Sequence, residues 1–262
     1  MLRKVSGERG DDKALDKVDR EEIQSHSPQR PDSVTSDFVG GPKISALFVE
    51  RGGVYWNLPG VDPWDKERDA RLYSGPYPVV AHPPCERWGS FWYGGPTLHN
   101  QGKRKKKGDD GGCFESALAA VNRCGGVLEH PRNSHAWAHF GLINPPDAGG
   151  WIRATMDGGW TCCVYQGYYG HKALKPTWLY FHGQSLPPIL KWGRPDGEFL
   201  EVSGRHFDSV EDRKLAQAAG FKYRSLPRNL RSATPEPFRD LLIQMAVSCI
   251  AGHTPKASTG GE

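Results

Sequence analysis

Residues 113–131 read CFESALAAVNRCGGVLEHP, and this stretch predicts a helix followed directly by a strand. Apolar side chains recur at helical spacing over Cys113–Cys124, and the two glycines that follow end the helix. The next residues, Gly126–His130, are apolar on both sides, as in a strand that is buried on both faces. A helix that leads into a doubly buried strand is typical of an α/β sheet.

The rest of the chain repeats this alternation. Four further apolar runs predict strands, at Ile44–Glu50, Pro78–His82, Thr161–Gln166 and Thr177–Phe181. Helical spacing predicts two more helices, at Val210–Ala219 and Glu236–Ile250. The expected fold class is therefore an open α/β sheet with helices on both faces. In such sheets ligands bind beyond the carboxyl ends of the strands, so residues that directly follow a strand are the candidates for a site.

Composition limits the class of protein. The chain has 262 residues, a net charge of +4 and six cysteines. It has no apolar run of membrane-spanning length and no apolar segment typical of a secretory signal, and its cysteines fit neither a disulfide scaffold nor a zinc ribbon. We expect a cytoplasmic protein without a structural metal. Charged, apolar-poor ends predict a disordered arm at 1–41 and a tail at 252–262, which leaves one domain at 42–251.

The segment HPPCERW at residues 82–88 follows a predicted strand. Pro83 and Pro84 remove two amide donors, so the strand ends and a rigid turn presents Cys85 at the rim of the sheet. His82 and Arg87 nearby are expected to lower the pKa of the thiol and make it a nucleophile. The alternative is a buried, inert structural cysteine.

A carboxylate ends the next predicted strand. Glu129 is expected at the same rim as Cys85, where it can hold or protonate a ring nitrogen, a role that requires a raised pKa. The alternative is a capping residue or an ion pair with Arg132.

Two loops carry the features of nucleic-acid contacts. Residues 166–178, QGYYGHKALKPTW, combine aromatic and basic side chains that suit base stacking beside phosphate. A glycine-flanked run of cations is expected to contact the DNA backbone, through Lys103, Arg104, Lys105, Lys106 and Lys107. The alternatives are an ordinary polar crossing loop and a solvated charge run.

Taken in order, several short motifs resemble those of the DNA cytosine-C5 methyltransferase superfamily. The resemblance is nearest to short, divergent methyltransferase-like proteins of phages and prophages. Residues 83–85 resemble the Pro-Pro-Cys nucleophile motif, and residues 129–131 stand where the family has Glu-Asn-Val or Glu-Asn-Pro. Residues 169–179 and 231–235 resemble two further motifs of the phage proteins. Residues 46–53 are similar to the cofactor loop, Asp-Leu-Phe-Ala-Gly-x-Gly-Gly.

The resemblance implies a fold and a set of roles. The implied fold is a reduced Rossmann-like sheet of the S-adenosylmethionine-methyltransferase type. Cys85 would add to carbon 6 of a cytosine in DNA, and Glu129 would hold or protonate ring nitrogen 3. Residues expected to bind the flipped base or nearby phosphates are His82, Arg87, Trp88, His130, Tyr168, His171 and Lys175. S-adenosylmethionine would be bound by Phe48, Gly52, Gly53, Asp62 and Pro83.

The cofactor half of the resemblance also sets an expectation between residues 53 and 85. No strand is predicted ahead of Asp62 and Asp65, although the family has an acidic residue there that binds the ribose hydroxyls. Asp62 or Asp65 is expected to take its place.

Three functions remain open from the sequence. The leading one is C5 methylation of cytosine in DNA, in the cytoplasm of a bacterial host if the chain is phage-encoded. The second is a transferase of phage pyrimidine hypermodification that uses Cys85 and Glu129 without S-adenosylmethionine. The third is a catalytically inactive DNA-binding module that has kept the base pocket.

Overall fold

The computed structural model describes residues 43–93, 105–156, 158–200 and 226–249, together with helical positions 211, 214, 215 and 218. Seven strands are present in this part of the chain: β1 Ile44–Leu47, β2 Val61–Trp64, β3 Val79–Ala81, β4 Gly126–Pro131, β5 Ile152–Arg153, β6 Trp160–Tyr165 and β7 Pro176–His182. Its helices are α1 Cys113–Cys124, α2 His135–His139, α3 Arg228–Ser232 and α4 Glu236–Ser248, with short 3-10 helices at Ala70–Leu72 and Gln166–Tyr169.

The strands form one mixed sheet in the order β2-β1-β3-β4-β7-β6-β5. The first four strands of the chain are parallel to one another. The strand β7 is antiparallel to both β4 and β6, and β5 is antiparallel to β6. Because β7 is reversed between them, β4 and β6 run in the same direction.

Side chains that alternate along each strand build a core on each face of the sheet. On β4, Leu128 packs with the α1 residues Phe114 and Val121 on one face. Val127 packs with Phe238 of α4 on the other face. The expected α/β class, with strands apolar on both sides and helices on both faces, is confirmed.

The five predicted strands are all present, and helix Cys113–Cys124 is confirmed to the residue. The helix predicted at Glu236–Ile250 begins at Glu236 and ends at Ser248. The expectation of no strand leading to Asp62 and Asp65 is wrong, because β2 lies there at the sheet edge. Its four residues, VDPW, contain a proline, which an edge strand tolerates because one side of its backbone has no partner strand.

Several expectations fall outside the described residues. These are the arm at 1–41, the tail at 252–262 and two cations of the basic run, Lys103 and Arg104. Of the predicted helix Val210–Ala219, the four described positions are helical. None of the described helices is long and apolar enough to cross a membrane.

Candidate functional site

A cavity opens where the strand order reverses. The chain passes from β1 to β2 on one side and then to β3 on the other side of β1, so the loops that follow β1 and β3 diverge. In open α/β sheets the crevice at this point is the usual ligand site. Here it encloses about 420 Å³ and is walled by residues 48–50 and 53–55 after β1 and by residues 82–85 after β3.

The remaining walls come from more distant parts of the chain. Glu129 and Pro131 line the cavity from the end of β4, and Lys175 lines it from just before β7. The end of α3 and the residues that follow it close another side through residues 231–234. Lys175 reaches this edge because β7 is antiparallel to β4, with Thr177 opposite Pro131, so the start of one strand lies beside the end of the other.

Two non-glycine residues of the cavity wall have a left-handed backbone conformation. Phe48, which directly follows β1, has φ 59°, and Lys175 has φ 41°. Left-handed conformations of non-glycine residues cost about 1–3 kcal/mol and cluster at functional sites. Both residues line the cavity.

Cys85 lies at the rim, as the two prolines predict. Its residue surface is exposed, and it contributes to the cavity wall. Its carbonyl oxygen accepts hydrogen bonds from the amides of Trp88 at 3.0 Å and Gly89 at 2.9 Å. These two bonds fix a turn directly after the cysteine, so the position of Cys85 is set by backbone on both sides.

The expectation that the pKa of the Cys85 thiol is lowered is wrong. Desolvation at the cavity wall raises this pKa, and the charge of Glu129 raises it further, while Lys175 opposes them only in part. Arg87, which the sequence pairs with the thiol, does not line the cavity. Cys85 is therefore a thiol at rest, and its nucleophile forms only when a base removes the proton.

Glu129 is held on both carboxylate oxygens. Its Oε2 lies 3.0 Å from Nδ1 of His82, and its Oε1 accepts a hydrogen bond of 3.1 Å from Nε2 of Gln166. The same Gln166 nitrogen donates to the hydroxyl of Thr177 at 2.9 Å. The side chain of Glu129 is only 13% exposed. Each oxygen keeps a further lone pair for a ligand.

The expectation that the pKa of Glu129 is raised is also wrong. Burial alone would raise the pKa of this carboxyl. The hydrogen bond from His82 and the charges of His82 and Lys175 outweigh burial, and the pKa lies below its ordinary value. The alternative of an ion pair with Arg132 is not the arrangement found, since Arg132 pairs with Asp147 at 3.2 Å.

His82 joins Glu129 to a residue that sequence reasoning missed. The hydroxyl of Tyr55 lies 2.8 Å from Nε2 of His82. Tyr55 is buried, and burial raises the pKa of its phenol well above the ordinary value. Its only signal in the sequence is its position in the loop after a predicted strand. Gln166 was missed for a related reason, because its role depends on the direction of β6.

Lys175 places an ammonium group at the cavity wall beside Glu129 and Cys85. Its Nζ donates to the carbonyl oxygens of Ala233 at 2.8 Å and Ser232 at 3.3 Å. Desolvation lowers the pKa of its ammonium group, and the charges of Glu129 and Cys85 oppose that shift. An ammonium group has three donors, so one remains available for a ligand.

Two residues expected at the base pocket are in the core instead. The ring of His130 is 1% exposed and packs against Phe114 and Trp137 on the face opposite Glu129. Neither of its ring nitrogens has a hydrogen-bond partner, and desolvation lowers its pKa to about 4. Trp88 is 3% exposed and donates from Nε1 to Asp110 at 2.8 Å. The expectation that these two side chains contact a base directly is therefore wrong.

Three further expected residues lie outside the cavity wall. The hydroxyl of Tyr168 donates to the carbonyl oxygen of Trp192 at 3.4 Å. His171 is buried, and its Nδ1 accepts from the amide of Ala173 at 3.0 Å. Arg87 is half-buried beside the turn that follows Cys85. Of the seven substrate-binding residues expected, the structure brings His82 and Lys175 together at the cavity.

The residues expected to bind S-adenosylmethionine are divided. Phe48, Gly53 and Pro83 line the cavity, whereas Gly52 and Asp62 do not. Asp62 accepts hydrogen bonds from Nε1 of Trp64 at 2.8 Å and from Arg68 at 2.6 Å.

Asp65, the other expected ribose ligand, is also engaged. Its Oδ2 accepts from Nε of Arg51 at 3.0 Å, and its Oδ1 accepts from the amides of Glu67 at 3.0 Å and Arg68 at 2.9 Å. Both carboxylates at β2 thus bind this chain's own donors. The residues present do not fit S-adenosylmethionine in the way that the resemblance implies.

The basic run is described in part. Lys105, Lys106 and Lys107 are exposed, and Nζ of Lys107 lies 5.1 Å from the centroid of the Trp92 ring. Among the described residues, no group of three or more His, Cys, Asp or Glu side chains could hold a metal ion.

Comparison with known proteins gives no family. No family model matches the chain, and searches of curated proteins and of solved structures give no match.

Proposed function

We propose that the chain modifies a pyrimidine base in DNA at carbon 5, with cytosine as the base and Cys85 as the nucleophile. The observation that carries this proposal is the joint presence of Cys85, Glu129 and Lys175 around one cavity at the reversal of strand order. A Rossmann-like sheet of the methyltransferase type belongs to the same proposal, and the parallel order β2-β1-β3-β4 supports it.

The three side chains meet the needs of conjugate addition. Carbon 5 of cytosine is a weak nucleophile until a thiolate adds to carbon 6. Cys85 first loses its proton to water, and its thiolate sulfur forms the new bond to carbon 6 while the electron pair of the 5,6 double bond moves to carbon 5. Negative charge then develops on ring nitrogen 3 and oxygen 2, where a proton from the Glu129 side and the free donor of Lys175 stabilise it. The base must leave the DNA stack to reach Cys85.

The adduct then takes up an electrophile at carbon 5. With water as the source the electrophile is a proton, and loss of the original hydrogen followed by expulsion of the Cys85 thiolate restores the base. In the full reaction an electrophilic carbon donor replaces that proton and its leaving group departs with the bonding pair. The engaged carboxylates of Asp62 and Asp65 favour the second candidate function, a transferase with a donor other than S-adenosylmethionine.

Hydrogen exchange at carbon 5 tests the addition step without assuming a donor. Duplex DNA containing 5-deuterocytosine is incubated with the full chain in ordinary water, and the nucleosides are analysed by mass spectrometry. Loss of deuterium is expected with the wild-type chain and with Cys113→Ser, and none with Cys85→Ser. Retention of all deuterium with the wild-type chain from neutral to mildly alkaline pH contradicts the proposal.

Two further measurements separate the remaining functions. Nucleosides from the DNA of cells that express the chain report the group transferred, because a new base has a defined mass. For an inactive DNA-binding module, Cys85→Ser leaves DNA affinity unchanged and neither the exchange nor a new nucleoside is detected with the wild-type chain.

A further inference from the structure

Three side chains of the cavity form an unbroken hydrogen-bonded chain. Tyr55 contacts Nε2 of His82 at 2.8 Å, and Nδ1 of His82 contacts Glu129 at 3.0 Å. Tyr55 comes from the loop after β1, His82 directly follows β3, and Glu129 lies on β4. Three adjacent parallel strands thus each contribute one member at the same edge of the sheet.

The chemistry of the outer members sets the tautomer of the middle one. Glu129 is an acceptor when ionised, so Nδ1 of neutral His82 must carry the hydrogen. Nε2 is then an acceptor, and the buried phenol of Tyr55 donates to it. Because burial raises the pKa of Tyr55, its hydroxyl keeps its hydrogen over the working pH range. Tyr55 therefore favours the tautomer of His82 that faces Glu129 with a donor.

A proton balance shows why this arrangement matters for the proposed chemistry. The addition to carbon 6 needs a proton or a donor at ring nitrogen 3, but an ionised Glu129 carries no proton. Within the chain Tyr55–His82–Glu129, the imidazole is the group that can hold one additional proton next to the carboxylate.

We infer that His82 is a positioning residue that stores a proton for Glu129, with Tyr55 fixing the ring, so that the His82–Glu129 pair is the acid of the site. The inference rests on the proposed function. Before the step, His82 carries a hydrogen on both ring nitrogens and Glu129 is ionised. As the thiolate sulfur of Cys85 bonds to carbon 6, Glu129 passes a proton to ring nitrogen 3 and takes the Nδ1 proton of His82. His82 is left neutral with its hydrogen on Nε2, where the Tyr55 oxygen accepts it. The proton is returned to the pair when the thiolate leaves.

Other charged or titratable groups surround the pair and share its environment. Lys175 and His130 act on Glu129, and Glu129, Arg239 and Asp240 act on Tyr55. Cys85, Glu50 and Arg231 line the same cavity. Since these groups are unchanged in variants at position 82, differences between such variants report the imidazole.

The first test needs neither DNA nor activity. The carboxyl carbon of Glu129 and the ring nitrogens of His82 are followed by NMR across pH in the full chain, with Glu129→Gln for assignment. A coupled pair gives two titration steps on each resonance. In His82→Asn, whose amide nitrogen can take the place of Nδ1, Glu129 is expected to show one step. Independent single steps in the wild-type chain, with Glu129 unchanged in His82→Asn, would overturn the inference.

The second test compares deuterium loss from 5-deuterocytosine in His82→Asn, His82→Gln and Tyr55→Phe. A general acid contributes a factor of about 100 or more, so His82→Asn is expected to lower the maximal exchange rate by about that factor, with half-saturating DNA concentration unchanged. The fall in wild-type rate as pH rises above its optimum should be absent in this variant. A wild-type profile and rate in His82→Asn would overturn the inference, whereas failure of the proposed function shows as no exchange in the wild-type chain.

Tyr55→Phe and His82→Gln complete the comparison. Tyr55→Phe keeps the imidazole and loses its anchor, so a smaller decrease than in His82→Asn, with the wild-type shape of the pH profile, is expected. His82→Gln can keep a contact with Tyr55 but not the proton, and should behave as His82→Asn. Equal pH profiles in all four proteins would contradict the inference.

Discussion

The ammonium nitrogen of Lys175 lies 2.8 Å from the main-chain carbonyl oxygen of Ala233, 58 residues further along the chain. A second bond of 3.3 Å reaches Ser232. These bonds attach the α3–α4 segment to the edge of the sheet, next to Glu129 and Cys85. Lys175 thus places a cation in the cavity and also attaches one of the cavity walls.

Lys175→Met is expected to loosen that wall. Hydrogen bonds from a charged donor contribute about 1.5–3 kcal/mol, so the amides of Leu230 and Arg231 should exchange with solvent about tenfold or more faster. Hydrogen exchange read by mass spectrometry measures this effect. Lys172→Met is the matched control, because Lys172 is exposed in the same loop. Unchanged exchange in Lys175→Met would show that the wall is held by other contacts.

His130 should make the free energy of unfolding depend on pH. Its pKa is lowered from 6.5 to about 4, so between these values the unfolded chain binds the proton and the folded chain does not. Stability is therefore complete above pH 6.5 and is lost as pH falls toward 4, by about 3 kcal/mol in total. His130→Leu should flatten that part of the profile.

Urea unfolding at several pH values measures the contribution of His130. His139→Leu serves as the control, since this histidine is exposed and near in sequence. A slope in His130→Leu equal to that of the wild-type chain would rule out His130 as its source.

Cys85 should react slowly with iodoacetamide at neutral pH and faster as pH rises, because desolvation and the charge of Glu129 raise its pKa. Glu129→Gln removes that charge, so the pH dependence of alkylation should move to lower pH and the rate near pH 8 should rise severalfold. Mass spectrometry of the Cys85 peptide gives the rate. Cys113 in the same sample is an internal reference, since burial and Asp110 raise its pKa. A slower reaction of Cys85 in Glu129→Gln contradicts the assignment.

Asp110 should be a strong determinant of stability. Its Oδ2 accepts from Nε1 of Trp88 at 2.8 Å and from the amide of Phe114 at 2.9 Å, and its Oδ1 accepts from the amide of Gly112. Asp110→Ala removes a cap from α1 and leaves a buried indole donor without a partner, which should lower the free energy of unfolding by about 2–3 kcal/mol. Denaturant midpoints measure it, and Asp109→Ala, an exposed neighbour, should stay within about 0.5 kcal/mol of wild type.

Gly126 should tolerate no side chain. A Cβ atom there would lie 2.0 Å from the carbonyl oxygen of Val79, and φ is 130°. Gly126→Ala would therefore separate β3 from β4, and we expect a loss of about 4 kcal/mol or failure to accumulate folded protein. Gly141→Ala is the control, because φ is 72° but no atom lies within 4 Å, so only about 1–2 kcal/mol is expected. Equal stability of the two variants would contradict the packing argument.

The sequence predicted the fold class and the shared edge of Cys85 and Glu129 for one reason. Parallel strands end at the same edge of a sheet, so a residue after β3 and a residue near the end of β4 are expected to lie close together. This expectation needs no information about the rest of the chain. Side chains alternate along β4, so His130 faces away from Glu129. The same alternation therefore predicts that His130 is buried on the other face of the sheet.

The contacts that define the protonation of the site could not be predicted in this way. Gln166 reaches Glu129 because β6 runs parallel to β4 although β7 lies between them, and strand direction is not encoded in a short apolar run. The pKa shifts of Cys85 and Glu129 depend on burial and on the charge of Lys175. The position of Lys175 follows from the antiparallel direction of β7. Proximity in sequence, as between Arg87 and Cys85, proved a poor guide to which charge acts on which group.

The wall contributed by residues 231–234 also bears on the order of events during synthesis. Cys85, Glu129 and Lys175 leave the ribosome well before this segment, and folding of a nascent chain begins at its amino-terminal side. A ribosome-bound chain that ends before α3 has all three reactive groups but an incomplete cavity around them. The complete cavity should therefore form abruptly, when the α3–α4 segment emerges and packs against the sheet edge.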